Sequence, residues 1–184
     1  MIRLLTTAGF VAVLATLMLV ALAVDRPSVA HDGPVNTSGA SIERLAVRAA
    51  ALVDAAPPAG WSVRYVATRP GAPRAQADRR ARRITIFVAA TDVPHRLAHD
   101  IAHELGHAWD DAAMTDRARA AFLRRRGVPS ARWWPGGRWS DYASGAGDFA
   151  EVFARCHAAS PEFRSRLAPP PADACAQLPK VVPR

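Results

Sequence analysis

The spacing of apolar positions divides the chain into helices and strands. Downstream of Ser41, a candidate N-cap, apolar residues recur with the period of a helix until the break at residues 57–60. Alternating apolar and polar residues over 61–67 and the apolar run 84–88 predict two strands. The helical period returns in three segments, which begin near residues 91, 115 and 148. This order of elements predicts a small α+β domain.

The segment between the two predicted strands carries no apolar period. It contains a turn signal at Pro70-Gly71 and the arginine-rich run 79–83, which we interpret as a solvated edge or loop. An alternative hypothesis is a weak docking patch for anionic cell-surface polymers or lipid headgroups. The whole chain has 24 basic and 16 acidic residues, a net charge of +8. Because no aromatic residues interrupt the arginine runs, no nucleic-acid partner is expected.

The first 24 residues have the pattern of an export signal. Arg3 precedes an almost entirely apolar run, and small residues at 21–23 suit a signal peptidase. The run is also long enough for an uncleaved N-terminal membrane anchor. Both interpretations predict a secreted or extracytoplasmic protein. Residues 25–40 are then a linker, 41–168 the folded domain and 169–184 an extended proline-rich tail.

Export changes the interpretation of the two cysteines. Cys156 and Cys175 can pair in an oxidising compartment and tie the tail to an upstream helix. Such a disulfide would contribute about 3 kcal/mol by loop entropy. The alternative is two free thiols.

The candidate chemistry begins with His103-Glu104-Leu105-Gly106-His107, an H-E-x-x-H sequence on a predicted helix. Residues four apart share a helix face, so both imidazoles can reach one Zn²⁺ ion. Glu104 would then lie beside the open coordination position and act as general base on zinc-activated water. The alternative is an ordinary helix with two histidines on its polar face.

A catalytic zinc ion needs a third protein ligand. Asp148 and Glu151 lie three apart on the last main helix, so both can face the first one. One would ligate zinc and the other would orient a histidine. A capping pair, with Asp148 as N-cap, is the alternative.

Several other polar residues lie near these motifs. Tyr142 could donate a hydrogen bond to an oxyanion or simply pack among tryptophans. Asp110 could fix an imidazole tautomer or be a solvated acid. His99 lies about 12 Å along the helix axis from His107, too far to share an ion with it. We therefore predict a surface or supporting role for His99, and a surface position for His95.

The residues 103–110 and 148–151 resemble motifs of zincin metallopeptidases. The likeness is greatest to the gluzincin branch with the lethal-factor-like and Pro-Pro endopeptidases, which pairs H-E-x-G-H-A-x-D with a later E-x-F-A-E and a preceding tyrosine. This resemblance, over residues 97–158, implies a zincin-like domain in which a helix beside a short β-sheet carries the active site. By the same resemblance, His103 and His107 match zinc ligands, Glu104 the catalytic base and Tyr142 the transition-state tyrosine.

One position departs from the family pattern. Alignment on Phe149-Ala150-Glu151 puts Gly147 where the ligand glutamate belongs, and glycine has no side chain to offer. Either Asp148 or Glu151 has taken over the ligand role, with Asp148 slightly favoured by its order in the chain, or the site is damaged.

These patterns together predict an exported zinc-dependent metallohydrolase, an endopeptidase acting on a peptide or protein substrate. The strand at 84–88 is expected to line the cleft and pair with an extended substrate. Two alternatives stay open: a non-catalytic extracellular module derived from a zincin fold, and a zinc amidase that acts on cell-wall peptides.

Overall fold

The computed structural model describes residues 37–136, 140–158 and 160–182. Within these ranges it is an α+β fold of five helices and one three-stranded sheet, which confirms the coarse fold class. The helices are α1 (Thr37–Ala50), α2 (Pro94–Ala113), α3 (Asp116–Arg125), α4 (Gly145–His157) and α5 (Ala174–Gln177). The strands are β1 (Ser62–Ala67), β2 (Ala75–Asp78) and β3 (Arg83–Val88). The predicted signal or anchor segment lies outside the described residues.

The sheet has the order β1-β3-β2, with β1 parallel and β2 antiparallel to β3. Ile84, Ile86 and Val88 of β3 are fully buried, which explains why their apolar run is visible in the sequence. Since β3 has a strand on each side, it cannot pair with a substrate, and that expectation is wrong. The sequence did not predict β2, because its residues Ala-Gln-Ala-Asp include none of the β-branched or aromatic residues that strands favour.

Helix α2 packs against β2 and β3, and α4 approaches α2 at close range. An ideal Cβ at Gly106 would come within 2.8 Å of the Ala150 Cα, so glycine permits this approach. Phe149 and Phe153 of α4 and Leu105 of α2 are buried in the main apolar core. The crossing places the middle of α2 against the first turns of α4.

The C-terminal segment is part of the folded domain. The Cys156–Cys175 disulfide is present, as predicted, and joins α4 to α5. Leu178 and Val182 are buried in the main core, so the expectation of a merely extended tail is corrected. In the described part of the chain, no helix combines the length and apolar character that crossing a bilayer requires.

Helix starts differ from the predicted ones in three places. Helix α1 begins at Thr37, inside the predicted linker and before the candidate cap Ser41. Helix α2 begins at Pro94 with Val93 at its N-cap position, later than the predicted start near residue 91. Asp92 accepts hydrogen bonds from the Ala89 N–H and from Arg74. Helix α4 begins three residues earlier than predicted and is capped by Ser144.

Candidate metal centre

Three ligand atoms from two segments converge at one end of the α2–α4 crossing. The Nε2 atoms of His103 and His107 lie 3.4 Å and 2.7 Å from Oδ2 of Asp141. The two imidazole rings are 4.9 Å apart between centroids, as expected for neighbours on one helix face. Among the described residues, these three side chains form one of two groups that could hold a metal ion.

Asp141 was not among the metal ligands predicted from the sequence. It lies in the loop before α4, and its backbone C=O accepts hydrogen bonds from the Ser144 N–H and hydroxyl, both at 2.7 Å. The Ser144 hydroxyl in turn accepts the Gly147 N–H and caps the helix. This turn holds the Asp141 carboxylate beside the histidines.

Gly147 makes the Asp141 turn possible. An ideal Cβ at residue 147 would overlap the Asp141 carbonyl group and come within 3.0 Å of the Tyr142 nitrogen. Any larger residue would therefore displace the loop that carries Asp141. Gly147, which seemed to remove a ligand, thus gives space to the loop that brings the Asp141 carboxylate to the histidines. An aspartate six residues before this glycine was the sequence signal that the prediction missed.

Glu151 supports His103 from the side away from Asp141. Its Oε1 lies 2.8 Å from His103 Nδ1 and 3.2 Å from His99 Nε2, and its Oε2 accepts the Arg164 backbone N–H. Burial opposes ionisation of Glu151, but hydrogen bonds to His103 and His99 lower its pKa to about 2. This arrangement matches the histidine-orienting role that was one of the two predicted for Glu151.

His99, His103 and Glu151 form the second group that could hold a metal ion. All three are buried, whereas the group with Asp141 and His107 opens onto a cleft. Only the group on the cleft can meet a substrate. His99 is fully buried, so its predicted surface position is wrong and its supporting role fits the contacts; His95 is exposed.

Asp148 lies outside both groups, which corrects its assignment as the favoured third ligand. Its carboxylate accepts hydrogen bonds from Arg126 Nε at 2.7 Å and Nη2 at 3.1 Å, and from the Ser165 hydroxyl at 2.6 Å. A fully buried carboxylate with these donors is already satisfied. It is not the helix N-cap either, since Ser144 has that position.

Asp110 has neither of its predicted roles. It is buried, and it accepts hydrogen bonds from Arg119 Nε at 2.8 Å and Trp133 Nε1 at 3.0 Å. It therefore connects α2 to α3 and to the loop that follows, away from the imidazoles.

Glu104 and Tyr142 both face the cleft, which has a volume of about 770 Å³. The Tyr142 ring packs edge-on against His103 with centroids 5.5 Å apart, and Arg164 Nη1 lies 3.4 Å from its hydroxyl oxygen. Glu104 is 8% exposed, and burial raises its pKa. Both side chains therefore lie at the wall of this cleft.

Hydrogen bonds within the centre shift the pKa values of His103 and Asp141. Burial alone would lower the pKa of His103, but hydrogen bonds to Asp141 and Glu151 outweigh burial and raise it well above the usual value. Burial opposes ionisation of Asp141 as well, yet its hydrogen bonds to His103 and His107 lower its pKa. Each hydrogen bond between a histidine and a carboxylate therefore favours the charged form of both groups.

Comparisons with family models, curated proteins and solved structures find no match to this chain. The resemblance to zincins therefore rests on the motif residues alone. The structure itself provides clustered histidine and carboxylate side chains that could bind a metal ion.

Proposed function

We propose that this chain is an exported zinc-dependent metallohydrolase, an endopeptidase, with His103, His107 and Asp141 as the zinc ligands. The observation that carries the proposal is the convergence of these three ligand atoms at the wall of a cleft. Two imidazoles and one carboxylate are a donor set typical of catalytic zinc, which keeps a further position for water.

The spacing of the ligands suits zinc. With zinc–ligand bonds of about 2.0–2.1 Å in a tetrahedral site, neighbouring ligand atoms lie about 3.3 Å apart. The His103–Asp141 separation of 3.4 Å meets this requirement, and the His107–Asp141 separation of 2.7 Å needs a small opening. When bound, zinc would acidify water and polarise a carbonyl group.

Glu104 would serve as the proton carrier. Its burial makes the carboxylate a stronger base than in water. It would take a proton from the attacking water and return it to the leaving amine. Glu151 would hold His103 in one tautomer by accepting from Nδ1.

Tyr142 would stabilise the oxyanion. Arginine can only donate hydrogen bonds, so the Tyr142 oxygen accepts from Arg164 and its own O–H stays available. The phenol can then donate to the negative oxygen that forms on the substrate carbonyl.

The substrate would extend along β2 rather than β3. The Phe87 N–H donates to the Arg74 C=O, so the alternation of an antiparallel pair turns the backbone groups of Ala75 and Ala77 away from β3. Both alanines line the cleft, and their N–H and C=O groups can pair with a peptide.

Replacement of Glu104 tests the enzyme directly. Glu104→Gln should retain stoichiometric zinc and lose peptide hydrolysis by about 10²–10⁴-fold, because general-base catalysis is removed. Asp111→Asn is the matched control, since Asp111 is an exposed acid on the same helix. Wild-type rates in Glu104→Gln, or wild-type protein purified without zinc and unable to bind it, would contradict the proposal.

The non-catalytic module was favoured by Gly147, which appeared to leave the site one ligand short. Asp141 offers the carboxylate that Gly147 cannot, so Gly147 no longer favours the non-catalytic module. Profiling with peptides and with cell-wall fragments separates an endopeptidase from a zinc amidase.

A further inference from the structure

Arg79 and Trp134 form a platform at one end of the cleft. The Arg79 guanidinium carbon lies 4.2 Å from the centroid of the Trp134 ring, and both side chains line the cleft. Arg79 directly follows β2, and Trp134 belongs to the loop after α3. A guanidinium stacked on an indole keeps the N–H groups of its edge free to bind a carboxylate in its own plane.

Arg79 differs from the other two arginines that line the cleft. Arg74 is paired with Asp92 and Asp100, and Arg164 with Asp100 and Glu162. In the described ranges, no carboxylate lies within ion-pair distance of Arg79. Its charge therefore faces the cleft uncompensated.

The turn beside the platform adds positive charge. Arg80 and Arg82 are exposed in the turn between β2 and β3, and Arg83 is exposed at the start of β3. Asp78 is the one acid of this turn, and its Oδ1 accepts the Ala81 N–H. Arg79 lines the cleft, and the other three arginines are exposed beside it, so four arginines against one aspartate give this turn a positive potential that attracts acidic groups.

The platform lies at the far end of the cleft from Arg74. Arg74 contacts Asp100, one turn before His103, whereas Trp133, next to Trp134, contacts Asp110, one turn after His107. The five-residue step from Arg74 to Arg79 spans about 16 Å of extended chain. Since His103 and His107 lie between Asp100 and Asp110 on α2, a peptide along this step would pass the metal centre near its middle. A peptide along β2 would thus place a side chain at Arg79 about two or three residues from the scissile bond.

We infer that the cleft recognises extended peptides with an aspartate or glutamate two or three residues from the scissile bond, bound by Arg79 on Trp134. The inference rests on the proposed function for the position of the scissile bond. Recognition of the acidic side chain itself can be measured without hydrolysis.

A binding experiment on zinc-loaded Glu104→Gln protein tests the inference. The immobilised protein is exposed to a random ten-residue peptide library, and the bound fraction is sequenced by mass spectrometry. We expect Asp and Glu to exceed Asn and Gln by about tenfold at one position, since charged hydrogen bonds are the strong ones. Adding Arg79→Gln should reduce the preference to less than twofold, and Arg79→Glu should reverse it toward Lys and Arg.

Arg48→Gln is the matched control, because Arg48 is exposed on α1 outside the cleft. It should leave the acidic preference unchanged. A bound fraction without acidic preference, or a preference that survives Arg79→Gln, would overturn the inference. Wild-type protein that shows the preference but cleaves nothing refutes the hydrolase and keeps the recognition site. Wild-type protein that cleaves peptides but shows no acidic preference supports the hydrolase and refutes the recognition site.

Discussion

Two carboxylates near the start of α4 have different kinds of partner. Asp148 is fully buried and paired with the guanidinium of Arg126. Arginine is a permanent cation in proteins. Asp141 is half-buried on the cleft and faces His103 and His107, whose protons a metal ion can replace. A carboxylate paired with arginine has a structural role. A carboxylate beside imidazoles, which can lose their protons, can instead bind a metal ion together with them.

The same distinction separates two acids of α2. Asp110 accepts hydrogen bonds from Arg119 and Trp133. Glu104 lines the cleft, and among the residues that the structure describes no arginine or lysine forms an ion pair with it. The two acids thus differ in whether an arginine from another segment reaches them.

The largest expected difference between the two carboxylates is in their contribution to stability, where Asp148 should dominate. Asp148→Asn should lower the free energy of unfolding by about 3–5 kcal/mol, because it leaves the buried Arg126 charge uncompensated. Urea denaturation with chelator present measures this. Asp141→Asn, the matched variant, should change the metal-free stability far less; equal losses would remove the distinction.

Zinc affinity should respond in the opposite order. Asp141→Asn should weaken zinc binding by more than about a hundredfold, beyond the range for outer partners of zinc ligands. Asp148→Asn, assayed at a temperature where it is folded, should bind as the wild type does. Competition against a zinc-binding dye gives both constants. If Asp148→Asn lost zinc and Asp141→Asn kept it, the original ligand assignment would be restored.

A smaller change sharpens the comparison through Gly147. Gly147→Ala puts a methyl group onto the Asp141 carbonyl, so the loop must move. We expect a loss of about 1–3 kcal/mol in stability, typical of overpacking, and zinc binding about tenfold weaker. Gly136→Ala is the control, since its Cβ would meet only Arg132 Nη1 at 3.8 Å. Unchanged zinc binding in Gly147→Ala would show that the Asp141 loop does not depend on this glycine.

The sequence by itself determined the features that depend on local spacing. His103 and His107 share a face because they are one helical turn apart, and Glu104 lies between them. The strands β1 and β3 follow from apolar periodicity, and the Cys156–Cys175 bond agrees with the pairing expected outside the cytoplasm. None of these features requires knowledge of how distant segments meet.

Only the tertiary structure decided which acids lie beside the two histidines. Asp141 reaches the histidines because α4 crosses α2 closely at Gly106 and because Gly147 leaves room for the loop. Asp148 is hydrogen-bonded to Arg126, which is 22 residues away in the chain, and therefore does not reach the histidines. Strand β2 exists because β3 offers it an edge, not because its residues favour a strand. Contacts between distant segments set these outcomes, and residue spacing along one segment carries no information about them.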